Sequence, residues 1–407
     1  MTNYYSHTLP NGLRIVHKPT DGNVSYCGFI VNAGTRDESA DQFGMAHFIE
    51  HMLFKGTTKR KSHHIINRIE NVGGELNAYT NKEETVIYSI FLKEHFERAL
   101  ELLSDITFNS CFPQSEIEKE VEVIIDEIHS YEDSPSELIF DEFENLVFQH
   151  SSIGHNILGD ASVLKTFDTS KAKRFVDEYY IPSQTVFFSL GNTDFKKIIY
   201  YVEKYLSHLT FRESINKRLV PFGIPSEHVK IDKDTSQVHG IIGGRSYSIY
   251  DSKRKALRIL NNILGGPGMN SRLNISLREK RGYVYNVDSS VTAYSDAGIL
   301  SIYFGCDQRN ADKCVDLIYK ELKKLRDTKL TDGQLTSAKK QLIGQIGIAG
   351  DNKENIALSL GKSFMYYNHI DTIDESFAKI NSVTALQIQD VANEILDEKE
   401  LFSLIYN

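Results

Sequence analysis

Apolar residues recur along this chain with two periods, and the switches between them predict the order of its elements. Residues 13–17 and 24–31 are strand-like runs, the second closed by Asn32-Ala33-Gly34. Between 44 and 54, Met45, Ala46, Phe48, Ile49, Met52, Leu53 and Phe54 leave almost no polar face, which predicts a buried helix. A second helix is expected near 63–71. Gly73-Gly74 then turns into a strand over 76–80, and 85–91 alternates as another. Helices are expected at about 94–109 and 115–131. The latter opens on Ser115 and Glu118, spaced as a capping box, and carries Ile117, Val121, Ile124, Ile125 and Ile128 at helical spacing. Ser134-Pro135 interrupts, a helix resumes over 138–148, and a strand at 185–190 and a helix at 194–206 close the first half.

Residues 207–228 mix polar and turn residues with Pro221, Gly223 and Pro225, and the linker is set at 211–228. The second half repeats the order: strands around 236–243, 283–290 and 298–304, helices at 252–264 and 271–280, then helices to the end. The echo is in pattern and not in residue identity. The expected fold class is therefore α+β, with two structurally similar domains at 1–210 and 229–407. Each would be a mostly antiparallel sheet with helices packed on one face.

Composition narrows the function classes. The chain has 407 residues, enough for two domains with a core each, and its 41% hydrophobic and 25% charged residues are those of a soluble globular protein. A net charge of −9 argues against a nucleic-acid partner and is compatible with basic peptides. No basic segment followed by an apolar stretch opens the chain, and no window approaches 18 consecutive apolar residues, so no membrane association is expected. Cys27, Cys111, Cys306 and Cys314 show no C-x-x-C pairing and read as free thiols, which places the protein in the cytoplasm.

The chemistry concentrates in His47-Phe-Ile-Glu50-His51. Two histidines at i and i+4 project from one helix face, close enough to share a metal ion, and Glu50 lies beside them. This H-x-x-E-H order is the reverse of the commoner H-E-x-x-H and has the geometry of a zinc hydrolase. Surface helices carry His and Glu freely, but in a buried helix such groups need partners, and a cation supplies one. Zinc hydrolases generally take three protein ligands plus water, so a third must come from elsewhere. Glu120 and Glu127, seven apart, share one side of the 115–131 helix. Glu116, Glu118 and Glu122 read as solvated, whereas Glu127, expected to be pressed among Val123, Ile124 and Ile128, reads as a ligand.

The segments Gly44-Met-Ala-His47-Phe-Ile-Glu50-His51-Met-Leu-Phe-Lys-Gly56-Thr57 and Asn77-Ala78-Tyr79-Thr80, with Glu83, Thr85 and Tyr88, and the pair Glu120 and Glu127, resemble the pitrilysin-type (M16) inverzincins. The likeness runs nearly end to end and is strongest to the small bacterial and mitochondrial-processing-peptidase-like members. It implies one Zn2+ per chain on His47, His51 and Glu127, Glu50 as general base, and Glu120 as a carboxylate behind the ligands. It also matches Arg278 and Tyr285 to an Arg and Tyr that contact substrate, with Tyr283 offering a second hydroxyl nearby. The preceding run Leu264-Gly-Gly-Pro-Gly-Met269 lacks the G-K-[ST] of a phosphate loop and reads as a connection with tight turns.

Asn77, Ala78, Tyr79 and Thr80 are expected on an edge strand that binds substrate by strand addition; the plain alternative is an ordinary strand. The function implied is a zinc endopeptidase acting on extended or unfolded peptides. The alternatives are a non-catalytic or partner-dependent subunit of the same family, and a zinc hydrolase acting on another bond. The family's chamber needs four such domains, so a homodimer is expected, with a heterodimer as the competing arrangement.

Overall fold

The computed structural model describes residues 4–214, 217–233 and 235–407; Ile215 and Asn216, inside the expected linker, lie outside the described residues. The chain forms two compact units.

The first unit's sheet contains β1 (Tyr5–Thr8), β2 (Arg14–Pro19), β3 (Val24–Val31), β4 (Glu75–Thr80), β5 (Thr85–Leu92) and β6 (Thr185–Gly191), in the order β1-β2-β6-β3-β5-β4. Only β2 and β6 run parallel. In β3, Cys27, Phe29 and Val31 enter one core while Ile30 enters another, as a two-residue period requires. In β6, Phe187 joins the first core and Val186, Phe188 and Leu190 the second. The first core is completed by the helices Met45–Met52, Phe96–Phe108 and Phe195–Leu206. The second is closed by the helix Lys353–Tyr367 through Ala357, Leu360, Phe364 and Met365. That helix approaches the sheet closely at Gly361, where a Cβ would stand 2.7 Å from Ile30 Cδ1 and 2.8 Å from Phe188 Cδ1.

The second unit's sheet contains β7 (His228–Ile231), β8 (Val238–Ser246), β9 (Val284–Ala293), β10 (Gly298–Cys306) and β11 (Phe402–Tyr406), in the order β7-β11-β8-β10-β9. Here β7 and β11 are the parallel pair. In both units the first and last core strands pair in parallel, and the third strand of that core set lies at the edge. The α+β class with two similar, mostly antiparallel units is thus seen directly. The first unit adds β1 outside this common pattern.

Four expectations need correction. Helices cover both faces of each sheet, not one. The main layer of the second unit includes Arg254–Gly265, Ala311–Asp327 and Ala385–Ile395, and Pro135–Val147 covers the opposite face with Ile139, Phe143 and Val147. The units are not contiguous halves either: Ser130–Gly154 belongs to the second and Ala349–Thr372 to the first. The cause is the same, since a sheet buried on both faces needs a helix on its far side. The chain does not end in helices, because Phe402–Tyr406 is a wholly buried strand in the interior of its sheet. Finally, the helix expected at 115–131 starts at Gln114, so Ser115 sits inside its first turn, and Glu118 Oε1 takes a 3.4 Å bond from Gln114 Nε2. No helix among the described residues is long and apolar enough to cross a membrane.

Candidate metal centre

The helix Met45–Met52 buries Met45, Ala46, Phe48, Ile49 and Met52 in the first core, which turns His47, Glu50 and His51 toward the neighbouring elements. It starts at Gly44, whose φ of 95° favours glycine, against Gly159, where a Cβ would stand 2.4 Å from Gly44 Cα. Its first turn is capped by Glu38: Oε2 accepts from Gly44 N at 2.9 Å and Oε1 from Ala46 N at 2.7 Å.

The structure brings His47, His51 and Glu127 together. Nε2 of His47 and Nε2 of His51 each stand 3.9 Å from Oε2 of Glu127, and one ligand atom of each of the three residues lies within 4.8 Å of the other two. At 3.9 Å these are not hydrogen bonds. They are contacts that a cation bonded at about 2.0–2.2 Å can bridge with a small closing movement. His47 supplies the test of fit. Its side chain is 10% exposed, Nδ1 is buried, and neither nitrogen makes a hydrogen bond among the described residues. A buried imidazole left in that condition is costly, and a metal at Nε2 relieves it. Two imidazoles and a carboxylate form a donor set that suits zinc, so the residues fit the ion.

Electrostatics favour the same arrangement. Burial, and secondarily the proximity of His51, lowers the His47 pKa to about 4, so the ring stays neutral. His51 is subject to burial too, but the hydrogen bond and charge of Glu120, with Glu50 and Glu127, raise its pKa above the ordinary value. The bond runs from His51 Nδ1 to Glu120 Oε1 at 2.9 Å. A carboxylate only accepts, so Nδ1 carries the proton and Nε2 is left to face Glu127. Glu120 Oε2 takes Lys55 Nζ at 2.5 Å. Burial raises the Glu120 pKa, yet His51 and Lys55 overcome it and hold the group ionised. Glu50 is pushed up by burial, with Thr80 and His51 acting the other way, which moves it toward the range of a working general base.

Thr80 ends β4, the edge strand of its sheet, which also carries Asn77, Ala78 and Tyr79, and the strand packs beside the metal helix. The second unit holds the other two predicted residues. Arg278 is exposed on a π-helical turn, Asn274–Glu279. Tyr285 lies on β9, 55% exposed, and donates to Asp307 Oδ1 at 2.8 Å. Tyr283 is turned inward, with Lys313 Nζ 5.3 Å above its ring. One environment differs from expectation: the Glu127 side chain is 44% exposed, and Val123, one turn before it on the same helix, faces solvent too. Lys55 and Glu38 are additional site residues that the sequence reading does not name. Lys55 had a legible signal, its i+4 spacing from His51; Glu38 had none.

His47 and His51 from one helix and Glu127 from another thus form a candidate metal centre in a two-unit α+β fold. Residues 14–161 match the model of the insulinase family, peptidase family M16, and residues 166–342 match that of the M16 inactive domain. The uncharacterized zinc protease YmxG of Bacillus subtilis is 30% identical over 98% of this chain and 97% of its own. The probable mitochondrial-processing peptidase subunit beta of Arabidopsis thaliana is 29% identical over 96% of this chain and 76% of its own. A solved protease from Helicobacter pylori shares the fold with a TM-score of 0.93 at 19% identity, each chain covered completely. The chain belongs to peptidase family M16, and several of its relatives are named uncharacterized zinc proteases.

Proposed function

We propose that this protein is a zinc-dependent endopeptidase that cleaves extended or unfolded peptides. The observation that carries the reading is the convergence of His47 Nε2 and His51 Nε2 on one oxygen of Glu127, with Glu50 on the same helix beside the end of an edge strand. His47, His51 and Glu127 hold one ion per chain, and Glu120 and Lys55 keep His51 in the required tautomer. When bound, the ion supplies Lewis acidity to the scissile carbonyl and the attacking water. Glu50 accepts a proton from that water and returns it to the leaving amine. The edge of β4 takes substrate main chain to main chain, which selects for extended, unfolded segments and not for any one side chain. Arg278 and Tyr285 contribute substrate contacts from the second unit, where Tyr285 presents the exposed hydroxyl. Two copies supply the four units of a closed chamber, so the active species is a homodimer.

Hydrolysis of an unstructured quenched peptide, with and without chelator, tests the reading. Cleavage that stops with chelator and returns with zinc is expected; a chain that binds the peptide without cleaving it points to the non-catalytic alternative.

A further inference from the structure

The turn that follows β4 holds three consecutive charged residues, Lys82, Glu83 and Glu84, none more than 3% exposed. Buried ion pairs are weak sources of stability, and their best-attested use is to fix position. Glu83 pairs with Arg36 Nη1 at 2.6 Å, and its carbonyl accepts from Arg218 Nη2 at 2.7 Å. Glu84 is held by Lys362 and Tyr366. Lys82 reaches another way. Its Nζ donates to the carbonyl oxygen of His155 at 2.5 Å, and His155 Nε2 stands 2.9 Å from Glu38 Oε2.

Glu38 is the residue whose two oxygens cap the start of the metal helix. Its side chain is wholly buried, and the His155 ring is stacked on Phe43 with centroids 4.1 Å apart and planes 16° from parallel. A continuous set of bonds therefore runs from the end of the edge strand, through Lys82, His155 and Glu38, to the amides of Gly44 and Ala46. At the other end of the same helix, Glu50 lies against Thr80. The strand and the metal helix are tied at two places, of which only the second is part of the chemistry.

We propose that Lys82, His155 and Glu38 are positioning residues of the peptidase centre, a buried strut that sets β4 at a fixed distance from the metal helix. The inference rests on the peptidase reading above. Lys82 acts on the strand and therefore on how a peptide is presented. Glu38 acts on the helix and therefore on how His47 and His51 are aimed. A role in stability alone would move neither substrate affinity nor the ligand field.

The test compares the full chain with Lys82→Met and Glu38→Gln, using cobalt(II) as the metal probe and an unstructured quenched peptide as substrate. Lys82→Met is expected to raise KM about tenfold with kcat and cobalt affinity held within about twofold. Glu38→Gln is expected to weaken cobalt binding about tenfold and to shift the visible d–d absorption, before any peptide is added. Two folded variants with unchanged cobalt spectrum, affinity and KM would overturn the strut, whatever their melting temperatures. Should Glu38→Gln fail to fold, the KM of Lys82→Met decides. A wild-type chain that binds cobalt but cleaves nothing defeats the peptidase reading, and the spectrum of Glu38→Gln still judges the strut. A wild-type chain that binds no metal ends both.

Discussion

His51 and Glu120 are joined by a 2.9 Å bond from Nδ1 to Oε1, and this bond determines which nitrogen of His51 is free for a metal. Glu120→Gln keeps the shape but loses the charge that holds the proton at Nδ1. Zinc affinity is expected to fall by about 10- to 100-fold, the usual effect of removing such a partner. Chelator competition measures it. Lys55→Met, which removes only the second bond to Glu120, is expected to cost less.

Glu50 is on the metal helix but is not one of the three converging ligands. Glu50→Gln is expected to retain zinc and to lower kcat by about 10²- to 10⁴-fold, the range for loss of a general base. His47→Ala is expected to lose both metal and turnover. Parallel metal analysis and peptide cleavage separate the two, and retained cleavage in Glu50→Gln would remove its assigned role.

The edge position of β4 makes a prediction about substrate and not about the enzyme. Methylating a substrate amide that donates to the strand removes a bond worth about 1 kcal/mol, or roughly a fivefold rise in KM. Methylation at the next amide, which points away, should have little effect. A series of singly methylated peptides should therefore show an alternating KM.

His17 predicts part of the stability profile. It is 1% exposed, Nδ1 is 2.8 Å from Ser189 Oγ, and Nε2 has no partner among the described residues. Burial lowers its pKa to about 4 from the ordinary 6.5. Because the folded value is the lower one, protonation favours the unfolded chain. The full contribution is present above pH 6.5 and is lost as pH falls from 6.5 to 4, about 3 kcal/mol in all. Urea titrations at pH 7 and pH 4 should show a steeper loss for wild type than for His17→Leu.

Gly361 tests the exchanged helix. Gly361→Val places branched carbon against Ile30 and Phe188, both within 3 Å of an added Cβ. A loss of about 1–3 kcal/mol is expected, as for other overpacked cores, read as a lower denaturation midpoint.

The convergence of His47, His51 and Glu127 was legible because its geometry is largely local: i, i+4 on one helix, and a third carboxylate on a long amphipathic one. The strands β3, β4, β5 and β6 were legible from alternation and from the turn at Gly73-Gly74. The exchange of Pro135–Val147 and Lys353–Tyr367 was not. Periodicity identifies Ala357, Leu360 and Phe364 as one apolar stripe, but no local pattern says which sheet that stripe will cover. The strand Phe402–Tyr406 is a short apolar run, which period alone does not distinguish from helix. Thr169–Tyr179, which the sequence analysis does not predict, does carry a local signal, its N-cap Asp168. Glu38 and His155 are 117 residues apart, and their pairing exists only in the folded chain.

The most direct measurement is the metal content of the purified full-length protein, alongside that of Glu127→Ala. One zinc per wild-type chain, lost or greatly weakened in the variant, is the predicted result. Wild-type protein that holds no stoichiometric metal after zinc loading, or a Glu127→Ala variant that binds it as tightly, would contradict the proposed centre.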